Sequence, residues 1–188
     1  ADIKTHIPFL YETLETLSVV RKITPTLLRK FIQNGLIKGR QSNVDIERKL
    51  LSTFLLRRKE YFIEENTIIR KILATHLRYS NRHRFKEICR EAINCYSTEL
   101  AESESRESAM LTLELLFLEL QTFCIEDYSK PKTYFGEKVT HTLDRIEKNK
   151  KKNTLKIIRE IKDLFKKDKE IELNLQYLLD SDKEHFLS

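Results

Sequence analysis

At 188 residues the chain is long enough for one domain or two small ones, and 40% apolar with 34% charged residues supplies a core under a well-solvated surface. Three Gly and three Pro leave too few turn residues for a hairpin-rich β fold. The net charge is +6, and no apolar run approaches the roughly 20 residues of a membrane span, so a transmembrane segment is excluded.

In chain order, Pro8 suits a first helical turn, with Leu10, Leu14 and Leu17 on one face. Thr24-Pro25 reads as an N-cap followed by proline at the first helical position. Leu27, Leu28, Phe31 and Ile32 form the buried face of that helix, and Gly35 stops it. After a link containing Gly39, Ser42-Asn43 caps a longer helix over roughly 44–62, striped by Ile46, Leu50, Phe54 and Tyr61. Ile68, Ile69, Ile72, Leu73 and His76 belong to the next helix, which ends near Tyr79.

Ser80 is placed to cap a helix whose buried side is Phe85, Ile88, Cys89, Ala92, Ile93 and Tyr96. Its other side carries Arg82, Arg84, Lys86 and Arg90. The run 101–105 reads as a polar loop or a frayed start. Residues 108–124 are apolar almost all round, which predicts a central helix covered on several sides. Pro131 closes a link before a helix striped by Phe135, Val139, Leu143 and Ile146. Asn153 caps a helix carrying Leu155, Ile158, Ile161, Leu164 and Phe165, and Ile171, Leu175, Leu178 and Leu179 mark a last amphipathic stretch.

The expected fold is all-α, with about eight to ten helices in one or two packed bundles. A two-bundle chain divides near residues 63–67, giving 1–62 and 68–188. The chain starts without Met or a signal peptide, as a processed chain or a fragment does. Three cysteines, Cys89, Cys95 and Cys124, are an odd and sparse set that suits a reducing, intracellular compartment and leaves room for one disulfide.

No chemistry-bearing motif stands out. His76, His83, Cys89 and Cys95 have metal-binding types, but on one helix their spacings place them too far apart or on different faces. Phosphate loops, nucleophile elbows and HExxH are absent. Acid pairs such as Glu64-Glu65 and Glu126-Asp127 flank polar links rather than an enclosed site. The expectation is a non-enzyme without cofactor or metal.

Charge is the informative feature. Residues 21–40 hold six basic side chains and no acid, while 145–170 hold eleven basic against five acidic. Residues 99–127 carry eight acids against Arg106 alone. The cations expected to meet a partner are Arg82, Arg84, Lys86 and Arg90 at one helix start, and Lys148, Lys150, Lys151, Lys152 and Lys156 at a helix junction. A protein partner is the leading expectation. Nucleic acid held through phosphate contacts is the alternative, with Tyr79 beside Arg82, His83 and Arg84 adding a stacking surface. A structural scaffold or adaptor that accepts a partner helix in an apolar groove is the third.

The order of segments resembles transcription elongation factor TFIIS, in its N-terminal and central helical domains. Over roughly 9–61, Leu10 to Leu17, Ile23-Thr24 with Leu27-Leu28, the Gly35 to Gly39 link and Ile46 to Lys59 are similar to the N-terminal domain. Over roughly 82–180, Cys89-Arg90-Glu91, Leu113-Glu114 with Phe117 and Glu119, and Tyr134, Lys138, Val139 and Leu143 followed by 148–153 are similar to the central domain. The chain departs from the family in having no Trp, and in Thr140 and His141 where basic residues follow Lys138-Val139. No zinc ribbon lies within these residues, so transcript cleavage is not implied. The resemblance implies a nuclear module docking on RNA polymerase or an elongation partner.

Overall fold

The computed structural model describes residues 8–38, 45, 48, 51–52, 55–59, 62–103, 105–123, 137, 140–141, 144 and 154–173. Helix accounts for 76% of them, in seven helices rather than eight to ten, with two short strands. The principal helices are α1 (Pro8–Leu17), α2 (Pro25–Gln33), α3 (Thr67–Ser80), α4 (Arg82–Glu102), α5 (Ser105–Phe123) and α6 (Thr154–Phe165). The strands are β1 (Leu56–Arg58) and β2 (Ile63–Glu65). The chain divides into two compact units, Ala1–Cys95 and Tyr96–Ser188.

In the N-terminal unit, Leu14 and Leu17 of α1 are buried, and the buried hydroxyls of Thr13 and Thr16 donate to the carbonyls of Phe9 and Glu12. Self-satisfied threonines are how a helix places polar residues in a core at little cost. Thr24 caps α2 as its sequence predicts: its hydroxyl accepts from Leu27 N–H at 3.1 Å, and Pro25 follows where no donor is needed. Leu27, Leu28 and Phe31 are buried. At the other end Gly35 takes φ +74, a conformation that disfavours any side chain, and Ile37 N–H returns to the Phe31 carbonyl.

The expected helix over 44–62 is overturned in its last third. Leu56–Arg58 pairs antiparallel with Ile63–Glu65, in the register Leu56–Glu65, Arg57–Glu64 and Arg58–Ile63. Ile63 also exchanges both backbone hydrogen bonds with Ile23, at 2.7 and 2.8 Å. Backbone pairing from two sides outweighs the helical preference of the segment, as tertiary context commonly does. Among the residues expected on that helix, Asp45, Arg48 and Leu51 are helical, while Ile46, Leu50, Phe54 and Tyr61 lie outside the described residues.

Asn66 caps α3, its side-chain oxygen accepting from Ile68 and Ile69 N–H. The helix packs on α1. It ends at Asn81, whose N–H donates to the Leu77 carbonyl and whose side-chain oxygen accepts from Arg84 N–H at 3.0 Å. Asn81, not Ser80, therefore closes α3 and opens α4. Helix α4 buries Phe85, Ile88, Cys89, Ala92, Cys95, Tyr96 and Leu100. The division between units falls inside it, and β2, paired with β1 and Ile23, and α3, packed on α1, belong to the N-terminal unit.

In the C-terminal unit, Ser103 and Ser108 meet at 2.8 Å between α4 and α5. Helix α5 buries Leu111, Leu113, Leu115, Leu116, Phe117, Leu118 and Leu120, so it is covered nearly all round, as its sequence predicts. It packs on α6, where Ile161 is buried but Ile158 and Leu164 are exposed, so the expected α6 face is narrower than its sequence suggests. Leu155 and Asn153, with the stripe residues Phe135, Val139, Leu143 and Ile146 and the stretch 174–179, fall on residues or side chains outside the description. No described helix is long and apolar enough to cross a membrane.

The caps carry a modest prediction. Thr24→Ala and Asn66→Ala each remove an acceptor from a helix start and are expected to lower stability by about 1 kcal/mol. Urea titration of the full chain measures the shift.

Candidate functional site

Helix α3 has two apolar arcs. Ile69, Leu73 and Leu77 lie along one, and Ile68, Ile72 and Tyr79 along another. The inner surface is taken by Leu77 and by Arg70, which are 2% and 4% exposed. The guanidinium of Arg70 donates to the Ser18 carbonyl at 3.3 Å. With those residues inside, Ile68, Ile72 and Tyr79 point outward and are 70%, 60% and 83% exposed. Together with exposed Thr75 they fall within about 60° of arc at about 100° per residue, forming a stripe of about three turns.

The edges of this stripe are polar, and one of them is basic. By helical spacing Lys71 and Arg78 run along one side. His76 runs along the other, its ring nitrogen 2.9 Å from a Glu15 carboxylate oxygen of α1. Residues 67–86 contain six Lys and Arg, two His and no Asp or Glu. A one-residue link, Asn81, then separates α3 from the basic start of α4.

The four predicted cations on α4 separate into two roles. Arg82, Lys86 and Arg90 recur every four residues and share one side of the helix, with Arg82 and Arg90 exposed and Lys86 half-buried. Arg84 is turned into the unit, where its guanidinium donates to the Thr16 hydroxyl at 3.1 Å and the Leu36 carbonyl at 3.3 Å. It ties α1, the turn after α2 and α4 together. Arg84→Ala is accordingly expected to cost about 1–2 kcal/mol, against at most about 0.5 kcal/mol for exposed Arg82→Ala, a contrast that thermal melts resolve. Lys148, Lys150, Lys151 and Lys152 lie outside the described residues, as does the Lys156 side chain, although Lys156 itself belongs to α6.

Just before α3 in the chain, β2 presents alternating faces to core and solvent. Outward-facing Glu64 meets Lys22 at 2.7 Å and Lys59 at 3.4 Å, and Lys22 also sits 4.5 Å from the centre of the Phe62 ring. Partial burial pushes the Glu64 carboxyl up, and the two ammonium groups more than reverse this, leaving it below its ordinary range. Glu65 points inward and is 5% exposed, and neither carboxyl oxygen accepts a hydrogen bond. Burial pushes its pKa up to about 8, against the opposing charge of Arg70.

Cys89 and Cys95 are buried and not joined in a disulfide, whereas His76 and His83 are exposed, so the residue types that suggested a metal do not meet. Among the described residues no group of three or more His, Cys, Asp or Glu side chains is placed to hold a metal ion. Cys124 lies outside them. The sequence assigns Ile68 and Ile72 to this helix without identifying their face as a surface. The signal is the presence of two apolar arcs where a helix packed on one side needs one. No protein-family model, curated protein or solved structure matches the chain.

Proposed function

We propose that the chain is a non-enzymatic helical interaction module that docks a protein partner on the outer face of α3. One observation carries this reading: two isoleucines and a tyrosine stand in line on a solvent-facing helix whose inner side is already packed. Scattered exposed apolar residues are ordinary, whereas a contiguous stripe on one helix is the kind of surface that a partner covers. The resemblance to TFIIS suggests that the partner belongs to the nuclear transcription-elongation machinery, polymerase included. The experiment is affinity purification of the full chain from nuclear extract beside its Ile68→Glu/Ile72→Glu variant. A partner of the elongation machinery held by the parent and lost from the variant is the expected result; equal recovery by both removes this face from the reading.

Direct nucleic-acid binding is favoured by a different observation, the row Arg82, Lys86 and Arg90 following exposed Tyr79. Under that reading the isoleucine substitutions are neutral, and the three cations govern a steeply salt-dependent affinity for RNA or DNA.

A further inference from the structure

We infer that the partner presents an acidic amphipathic helix, laid along α3 with its apolar residues against Ile68, Ile72 and Tyr79 and its carboxylates over Lys71 and Arg82. This rests on the proposal that the outer face of α3 docks protein, and it adds the chemistry of what docks. The stripe supplies the first half of the argument. Counted from Ile68, its residues step by four, three and four, with Thr75 in the third place, as on a surface that receives another helix at spacings i, i+4, i+7 and i+11. Over three turns it spans about 16 Å, a length that a helix of modest size covers.

Charge supplies the second half. Lys71 and Arg82 are exposed, with half-buried Arg78 between them in sequence, and no acid occurs from Thr67 to Lys86. Glu15 of α1 faces His76 on the opposite edge of the stripe, Glu64 faces Lys22 and Lys59, and Glu65 is inside. Glu87, the first acid beyond, lies about 140° of arc around α4 from Arg82. A second copy of this chain meeting the stripe face to face would bring one basic edge against another. A basic helix would be repelled in the same way. Carboxylates along a partner's flanks satisfy the field of this surface, steer the encounter and fix which way the helix lies. Aromatic Tyr79 at the basic end supplies an amphipathic anchor of the kind enriched where proteins bind.

The test uses the full chain and two fluorescein-labelled synthetic helices of about 18 residues, about 27 Å long. Both carry Leu at the stripe spacing; one has Glu at every flanking position and the other Lys. Fluorescence anisotropy is expected to show the Glu peptide binding at least about ten-fold tighter than the Lys peptide, with the preference shrinking as salt rises from about 0.05 to 0.5 M. Lys71→Glu/Arg82→Glu is expected to weaken the Glu peptide about ten-fold or more and to strengthen the Lys peptide, a reversal that no folding defect produces. Lys71→Gln/Arg82→Gln gives the intermediate case, and Ile72→Glu weakens both peptides. Equal binding of the two peptides overturns the inference, as does displacement of the Glu peptide from α3 by single-stranded RNA at equal concentration. If neither peptide binds while Ile68→Glu/Ile72→Glu still loses the nuclear partner, the acidic-helix inference fails and docking on α3 stands.

Discussion

Glu65→Gln is expected to stabilise the full chain by about 3 kcal/mol near pH 7 while leaving its stability near pH 4 almost unchanged. The carboxyl sits in the core with neither oxygen hydrogen-bonded, and its pKa is raised from the ordinary 4.5 to about 8. Between those two values the folded chain holds a proton that the unfolded chain has released. Stability is therefore fully present below about pH 4.5 and falls as pH rises through the window, by up to about 1.4 kcal/mol per pH unit, until about pH 8. Glutamine has the shape of the protonated acid and no charge to release, so the variant loses this slope. Urea unfolding at a series of pH values measures it. Parallel pH profiles for the parent and the variant would show that Glu65 is ionised and accommodated in the folded chain.

Ile68→Glu/Ile72→Glu is the counterpart at the surface, with a large effect on binding and almost none on folding. Each isoleucine covered by a partner contributes roughly 1.5–3 kcal/mol of apolar burial, so losing both and adding charge corresponds to a loss of about a hundred-fold or more in affinity. In the free protein both side chains are largely exposed, and substitution there shifts stability by about 0.5 kcal/mol or less. The carboxylate introduced at Ile68 would even lie in the first turn of α3, where the helix dipole favours negative charge. A melting temperature lowered by more than a few degrees would show that the isoleucines belong to the core of the free chain.

How far these features can be read from sequence follows from the range of the interactions that make them. Thr24-Pro25 and Gly35 are local signals, acting over three or four residues, and both do in the structure what their chemistry predicts. The apolar girdle of α5 is equally local, since a helix with no polar side has to be covered. The β1–β2 pair escapes a sequence reading because no Gly or Pro marks its turn and because its anchor, Ile23, is forty residues away from Ile63. Arg84 reads as a surface cation, yet its acceptors lie 68 and 48 residues earlier in the chain. Nothing near Arg84 distinguishes it from Arg82.

The orientation of α3 is legible only in part. Its two apolar arcs are visible in the sequence, but Ile68 and Ile72 are more hydrophobic than Arg70, and composition alone puts the arginine outside. The structure reverses this because the Ser18 carbonyl accepts the guanidinium from across the core. An inward arginine frees an outward apolar stripe, and the candidate site is the consequence.

Photocrosslinking in cells tests the docking claim most directly. A benzophenone amino acid at position 72 places the reactive group on the α3 stripe, and the same residue at exposed position 26 on α2 serves as the control. The account predicts adducts from position 72, absent from position 26, that map by mass spectrometry to an acidic helical segment of another protein and vanish when Lys71 and Arg82 are changed to Glu. Adducts to nucleic acid, or a yield from position 72 no greater than from position 26, would contradict it.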